Sequence, residues 1–272
     1  MSASIDDILS FRAPNGSPTS MLPPQLAILL LDTLEAPADF LLVHLLSRAF
    51  KQGRHCCLVG ANRDKEYYNT VLKKHGIQLQ TQLKAGTCVY TDAGRISSYL
   101  DTDSPQNLFR RIIEQVDQAL QSFKTQDAEK TTSPPPMILV DDLSALLWSA
   151  DATPSQLSTF YRHLRSLATD HNATMLSTFH SDACFTNMAE AGPVADQDTD
   201  MALRLLIRLS HLWLTTRSLR AQMMGEMTLH RGPTLGAEHP SVVSMPRHHP
   251  VQYKIEETGP VIWSKGMGAG FL

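Results

Sequence analysis

The chain is 272 residues long, 42% hydrophobic, and carries a formal net charge of −3 from 24 basic and 27 acidic side chains. That length suits a doubly wound sheet domain, which routinely uses about 200 to 250 residues, and no apolar stretch nears the roughly 20 residues that a membrane-crossing helix needs. Slight acidity argues against a chain that grips nucleic acid through its overall field, so a nucleic-acid contact would rest on a local basic patch.

The N-terminus, MSASIDDILSF, has two aspartates and no basic residue before its apolar stretch. This is unlike a secretory signal or an arginine-rich transit peptide, and a cytoplasmic or nuclear protein is expected. Residues 13–24, APNGSPTSMLPP, are rich in proline, glycine and serine, so residues 1–24 read as a tail and linker and residues 25–272 as a single domain.

From there strands and helices alternate. Leu26 to Leu31 is a continuous apolar run, as expected of a strand buried on both faces, and His55–Val59, Cys88–Tyr90, Met137–Val140 and Thr174–Phe179 repeat it. Ser104 and Pro105 are placed as N-cap and first helical residue before a stripe of Phe109, Ile112, Ile113, Val116 and Leu120. Thr153 and Pro154 do the same before Leu157, Phe160, Tyr161, Leu164 and Leu167. The alternation predicts a mainly parallel sheet flanked by helices, with right-handed crossovers. The last third reads as a helix over Asp200–His211, a strand at Leu212–Thr215, and strands at Met227–His230, Gln252–Glu256 and Val261–Ser264, expected as antiparallel additions to the sheet edge. Four cysteines, Cys56, Cys57, Cys88 and Cys184, lack any CxxC spacing and read as buried small hydrophobes.

The first strand, a nine-residue loop and the following apolar helix form the frame of a phosphate-binding loop. In GxxxxGK[ST], backbone N–H groups cradle phosphates and the lysine neutralises them. Here the same frame is Thr33–Phe40, TLEAPADF. Thr33 and Ala38 stand where the glycines belong, Asp39 where the lysine belongs, and Phe40 in place of the magnesium-binding hydroxyl. Asp32, Glu35 and Asp39, with no cation among them, would repel a triphosphate, and Pro37 removes one N–H donor. A structural role for each is equally simple: Asp39 as a helix N-cap, Asp32 as a strand end. A second echo is MILVDD at residues 137–142, where Asp141 or Asp142 stands at the position from which an acid orients magnesium in nucleotide hydrolases. Without the loop lysine and hydroxyl that magnesium site is incomplete.

Other chemistry-bearing groups are weaker candidates. Ser177 and His180 fall on opposite faces of a period-two strand and lack the glycines of a nucleophile elbow. His248 and His249 sit in a proline-flanked loop without further metal ligands. Arg204, Arg208, Arg217 and Arg220 make residues 204–220 locally positive, which reads as a solvated face or as a contact for RNA phosphate, with Arg217 and Arg220 the candidates for the latter. Trp213 and Leu214 between them read as core strand.

Several segments together resemble the Elongator complex protein 6 family: FLLVHLL at residues 40–46 after the empty loop, ILVDDLSALL at 138–147, and the C-terminal pattern matched by Gln252–Ile255 and Lys265–Met267. The resemblance implies a RecA-like fold without working nucleotide motifs, no cofactor and no catalysis. It further implies assembly with the fourth and fifth Elongator subunits into a hetero-hexameric ring with two copies of each. Such a ring would join the catalytic Elongator core and support tRNA binding and release in wobble-uridine modification. Against it stand an enzyme reading, a divergent phosphate-loop ATPase holding magnesium through Asp141 or Asp142, and a freestanding RNA-binding protein using the arginines.

Overall fold

A computed structural model describes residues 11–12, 18–19, 22–94, 104–128, 133–182, 184, 196–219, 224–239, 250–256 and 259–264. Within the segment expected to be a tail, Phe11–Arg12 (β1) and Pro18–Thr19 (β2) pair antiparallel. The main sheet begins with Ala27–Asp32 (β3), followed by Asp39–Lys51 (α1), Cys56–Gly60 (β4), Lys65–Lys74 (α2), Leu79–Lys84 (α3) and Cys88–Asp92 (β5). Pro105–Gln126 (α4), Met137–Asp141 (β6), Leu143–Ser149 (α5), Pro154–Asp170 (α6) and Thr174–His180 (β7) continue the alternation. Gln197–Leu209 (α7), Leu212–Ser218 (β8), Met224–Arg231 (β9), Leu235–Glu238 (α8), Val251–Glu256 (β10) and Gly259–Ser264 (β11) complete it.

Nine strands form one sheet in the order β11-β10-β9-β8-β3-β7-β6-β4-β5. The six from β8 to β5 run parallel, and β9, β10 and β11 are antiparallel additions at the C-terminal edge, as the turn-rich last third leads one to expect. Apolar runs become central strands because both faces are covered. Ile28 and Leu30 pack with α1, α2 and Leu79 of α3 on one side, while Ala27, Leu29 and Leu31 pack with α4, α5, α6 and α7 on the other. The adjacent cysteines divide in the same way: Cys56 joins the first cluster and Cys57 the second. All four cysteines are buried free thiols.

Each central strand runs one or more residues beyond its apolar core, because ladder pairing continues onto a polar position or glycine. Asp32, Gly60, Asp92, Asp141 and His180 therefore end β3, β4, β5, β6 and β7 at the same edge of the sheet. The connection leaving β3 passes over the α1 face and the one leaving β7 over the α7 face. Their carboxyl ends thus form a topological switch point, the crevice in which open α/β sheets bind ligands.

Helix starts follow local chemistry. Thr153 caps α6 with a full capping box: its hydroxyl accepts from the Gln156 N–H at 3.3 Å, and the Gln156 side chain accepts from the Thr153 N–H at 2.7 Å. Ser104 occupies the N-cap of α4 without a side-chain cap bond. Helix α7 begins earlier than its apolar pattern, since Asp196 accepts from the N–H groups of Asp198 and Thr199 and ends three residues short of Leu212 at Leu209, where the strand takes over.

At the opposite, amino-terminal edge of the sheet lies a feature with no motif to announce it. The Arg54 guanidinium is buried and donates to the carbonyls of Pro135 (2.6 Å) and Pro136 (3.1 Å) and to the Thr174 hydroxyl (2.5 Å). Thr174 passes the chain of bonds to the Pro23 carbonyl at 2.8 Å. Burial lowers the Arg54 pKa to about 10, still well above neutrality. Removing the exposed Thr153 hydroxyl tests the local account of α6: Thr153→Ala is expected to cost about 1 kcal/mol of stability, read as a lower urea midpoint with an unchanged slope.

Candidate functional site

The carboxyl edge of the sheet brings the sequence-derived candidates Thr33, Ala38, Asp39, Asp141 and Asp142 together with groups from β7 and α2, while Phe40 packs on the apolar core against Tyr253, ring centroids 4.8 Å apart. Asp32, buried at the end of β3, accepts from the Ala38 N–H through Oδ2 at 2.8 Å. Its Oδ1 accepts a hydrogen bond from Nδ1 of His180 at 2.5 Å. The other ring nitrogen of His180, Nε2, lies 3.1 Å from Oδ2 of Asp142. With a carboxyl oxygen facing each ring nitrogen, the arrangement favours the imidazolium, which can donate from both. The hydrogen bond to Asp32 raises the His180 pKa to about 9 against the opposing effect of burial, and the charge of Asp142 adds to it.

Asp142 does two things at once. It is the N-cap of α5, accepting from the Ser144 N–H at 2.8 Å and the Ser144 hydroxyl at 2.7 Å, and it is the second anion on His180. Burial pushes its pKa up to about 7, with His180 and Ser144 acting in the other direction. Asp141 is buried beside it and accepts from Thr178 at 3.1 Å and from the Tyr68 hydroxyl. Burial raises the Asp141 pKa as well, and its proximity drives the Tyr68 hydroxyl well above its ordinary range, after burial itself.

Asp39 is not the helix N-cap. Ala38 holds that position without a side-chain bond, and Asp39 is the first helical residue. Its carboxylate is occupied from another element: Arg63 donates at 3.2 Å and Tyr67 at 2.9 Å, with the guanidinium 5.0 Å from the Tyr67 ring centroid. The loop therefore does have a facing cation, supplied from the β4–α2 connection and placed to neutralise an aspartate rather than a phosphate.

Three backbone donors of the loop are similarly engaged. Ala36 N–H donates to the Thr33 carbonyl at 3.0 Å, Leu34 N–H to the Asp182 carboxylate at 2.9 Å, and Ala38 N–H to Asp32. These are the groups that a phosphate-binding loop turns towards its ligand. Among the described residues no group of three or more histidine, cysteine, aspartate or glutamate side chains is arranged to hold a metal ion.

The other candidates do not gather here. Ser177 turns to the Ile28 carbonyl at 3.4 Å, away from His180, as strand alternation requires. Arg204 pairs with Asp200 at 2.6 Å on α7, while Arg217 lies exposed on β8 with Glu226 as its cross-strand partner. Arg220, His248, His249 and Lys265–Met267 lie outside the described residues. Leu214 is buried and Trp213 half-buried, stacked on His230 at 5.1 Å. His180, Arg63 and Tyr68 are the members that motif reasoning does not reach. The available signal for His180 is its place at the end of a strand that neighbours β3.

A mainly parallel sheet whose first strand leads into a switch-point loop of phosphate-loop length defines a RecA-like fold, and here that loop lacks both glycine and lysine. Solved structures agree on the fold: a KaiC-like protein from Pyrococcus horikoshii superposes with a TM-score of 0.60 at 9% identity, covering 94% of both chains. An uncharacterised protein from the same organism gives 0.62 at 13% identity over 88% of this chain and 92% of its own.

The chain belongs to the family described as Elongation complex protein 6, whose sequence model matches residues 15–256. Relatives include Elongator complex protein 6 of Xenopus laevis, 25% identical over 86% of this chain and 88% of its own length. The Homo sapiens protein of the same name is 24% identical over 89% and 92%.

Both pKa shifts at the crevice have the same sign. His180 is raised from 6.5 to about 9, so its contribution is complete below 6.5 and declines as pH rises towards 9. Asp142 is raised from 3.8 to about 7, and a carboxylate so shifted also withdraws stability as pH rises across that range. The urea midpoint is expected to fall between pH 6.5 and 9. His180→Gln should flatten that fall and cost about 3 kcal/mol at pH 6.5, because the buried Asp32 loses its counter-charge and Asp142 loses a hydrogen-bond partner.

Proposed function

We propose that this chain is a non-catalytic scaffold subunit of Elongator. It joins the fourth and fifth subunits, two copies of each, in a hetero-hexameric ring that docks on the catalytic core and assists tRNA binding and release during wobble-uridine modification in the cytoplasm and nucleus. The observation that carries the non-catalytic part is the fate of the phosphate-loop frame. The N–H donors of Ala36, Leu34 and Ala38 are bonded to Thr33, Asp182 and Asp32, the lysine position is an aspartate neutralised by Arg63, and the space between Asp32 and Asp142 is filled by His180. A triphosphate entering this crevice would meet Asp32, Asp39, Asp141 and Asp142, and would have to break each of these bonds. Family membership supports association with other Elongator subunits, and a RecA-like fold supports ring assembly through the faces that flank the loop. Within the ring, Arg217 and Arg220 are the proposed phosphate contacts.

The test is the light-scattering mass of the chain alone and after co-expression with the fourth and fifth Elongator subunits of its organism, followed by calorimetric titration with ATP and magnesium. A six-chain particle with no heat of nucleotide binding to the isolated chain is expected. A monomer indifferent to both partners, or nucleotide binding abolished by Asp141→Ala, overturns the reading and returns the ATPase alternative.

A further inference from the structure

Leu34 projects from the tip of the degenerate loop with 79% of its surface in water, the most exposed of the large apolar side chains among the described residues. A scattered exposed leucine is ordinary on a protein surface. This one differs in the rigidity of its support. Thr33 and Ala36 form an isolated antiparallel bridge, and the Leu34 N–H itself is held by both oxygens of Asp182, at 3.2 and 2.9 Å. The Ala36 carbonyl accepts from the Thr216 hydroxyl of β8 at 2.6 Å, and Ala38 N–H is anchored on Asp32, which His180 holds in turn. Ala36 and Ala38 are buried, while Leu34, Glu35 and Pro37 face outward. The backbone is tied to β3, β7 and β8 on the inside, and two apolar side chains flank one carboxylate on the outside.

We infer that the Thr33–Ala38 loop is a preorganised protein-binding element in which Leu34 is the anchor, seated in an apolar pocket bordered by lysine or arginine on another Elongator subunit. The inference rests on the proposed scaffold role. Preorganisation favours it, since a loop already fixed in its bound shape loses little conformational freedom on association. Charge selects the partner: Glu35 and the exposed Asp182 flank the anchor, complementing a basic rim and opposing RNA phosphate or an anionic membrane. A fixed apolar side chain entering a pocket is also the kind of contact that dominates interface energetics.

The test uses the full chain and the co-expressed fourth and fifth subunits, with affinity measured by interferometry for wild type, Leu34→Ala and Glu35→Lys. Leu34→Ala should weaken association by about tenfold or more and leave the thermal midpoint of the isolated chain unchanged, because the side chain lies in solvent. Glu35→Lys should weaken it further at low salt than at high salt. Equal affinity of Leu34→Ala and wild type, with the complex intact, overturns the anchor and leaves the scaffold role standing. Failure of the wild-type chain to associate removes the scaffold role and the anchor with it. Self-association of the isolated chain that Leu34→Ala abolishes would make a second copy the occupant and overturn the assignment to another subunit.

Discussion

Carboxylates removed from water need a counter-charge, and the carboxyl edge of this sheet carries several within a few ångströms. Asp32, Asp141 and Asp142 are all buried there. Uncompensated, such a group is among the most destabilising features a folded chain can hold. His180 meets the need for two of them at once, and Tyr68 and Thr178 satisfy the third with hydroxyl donors. The placement of the Thr33–Ala38 loop, the cap of α5 and the end of β7 all follow from that arrangement, because each is bonded to one of the same carboxylates or to the segment that carries it.

The frame and the chemistry of this fold separate cleanly. Apolar strands buried on both faces, crossover helices and a switch-point crevice are the features that place a nucleotide or other ligand in open α/β sheets generally. None of them requires the nucleotide. Their energetic basis is apolar burial on two sides of the sheet, with Ile28 and Leu30 on one side and Leu29 and Leu31 on the other, and that persists whatever the loop contains. The loop residues are then released to bond one another, and Asp39, in the lysine position, becomes a partner for Arg63.

How far this was legible from the amino acids differs by scale. The strands were readable because largely apolar runs of three to six residues between capped helical stripes admit few alternatives, and the C-terminal antiparallel strands followed from alternation and turns. Substitution of the glycines and lysine at Thr33, Ala38 and Asp39 was equally plain. What the sequence could not reveal was pairing over long separations. His180 meets Asp32 across 148 positions and Tyr68 meets Asp141 across 73, and no local period encodes such contacts. Asp39 misled for a related reason: an aspartate at a helix start is the standard N-cap signal, but here a cation from the β4–α2 connection and a phenol from α2 claim the carboxylate. Arg54 shows the same limit, since two of its three partners are carbonyl oxygens, which carry no mark in the side-chain alphabet.

An imidazolium built into the chain has no concentration. A domain whose crevice is closed by a bound metabolite gains stability in proportion to the logarithm of how much of that metabolite surrounds it, and its loops loosen when the supply falls. The side chain between Asp32 and Asp142 is covalently part of the protein, so the shape it enforces on the neighbouring loop answers to pH and to no metabolite supply, and at one pH is the same in a fed cell and a starved one.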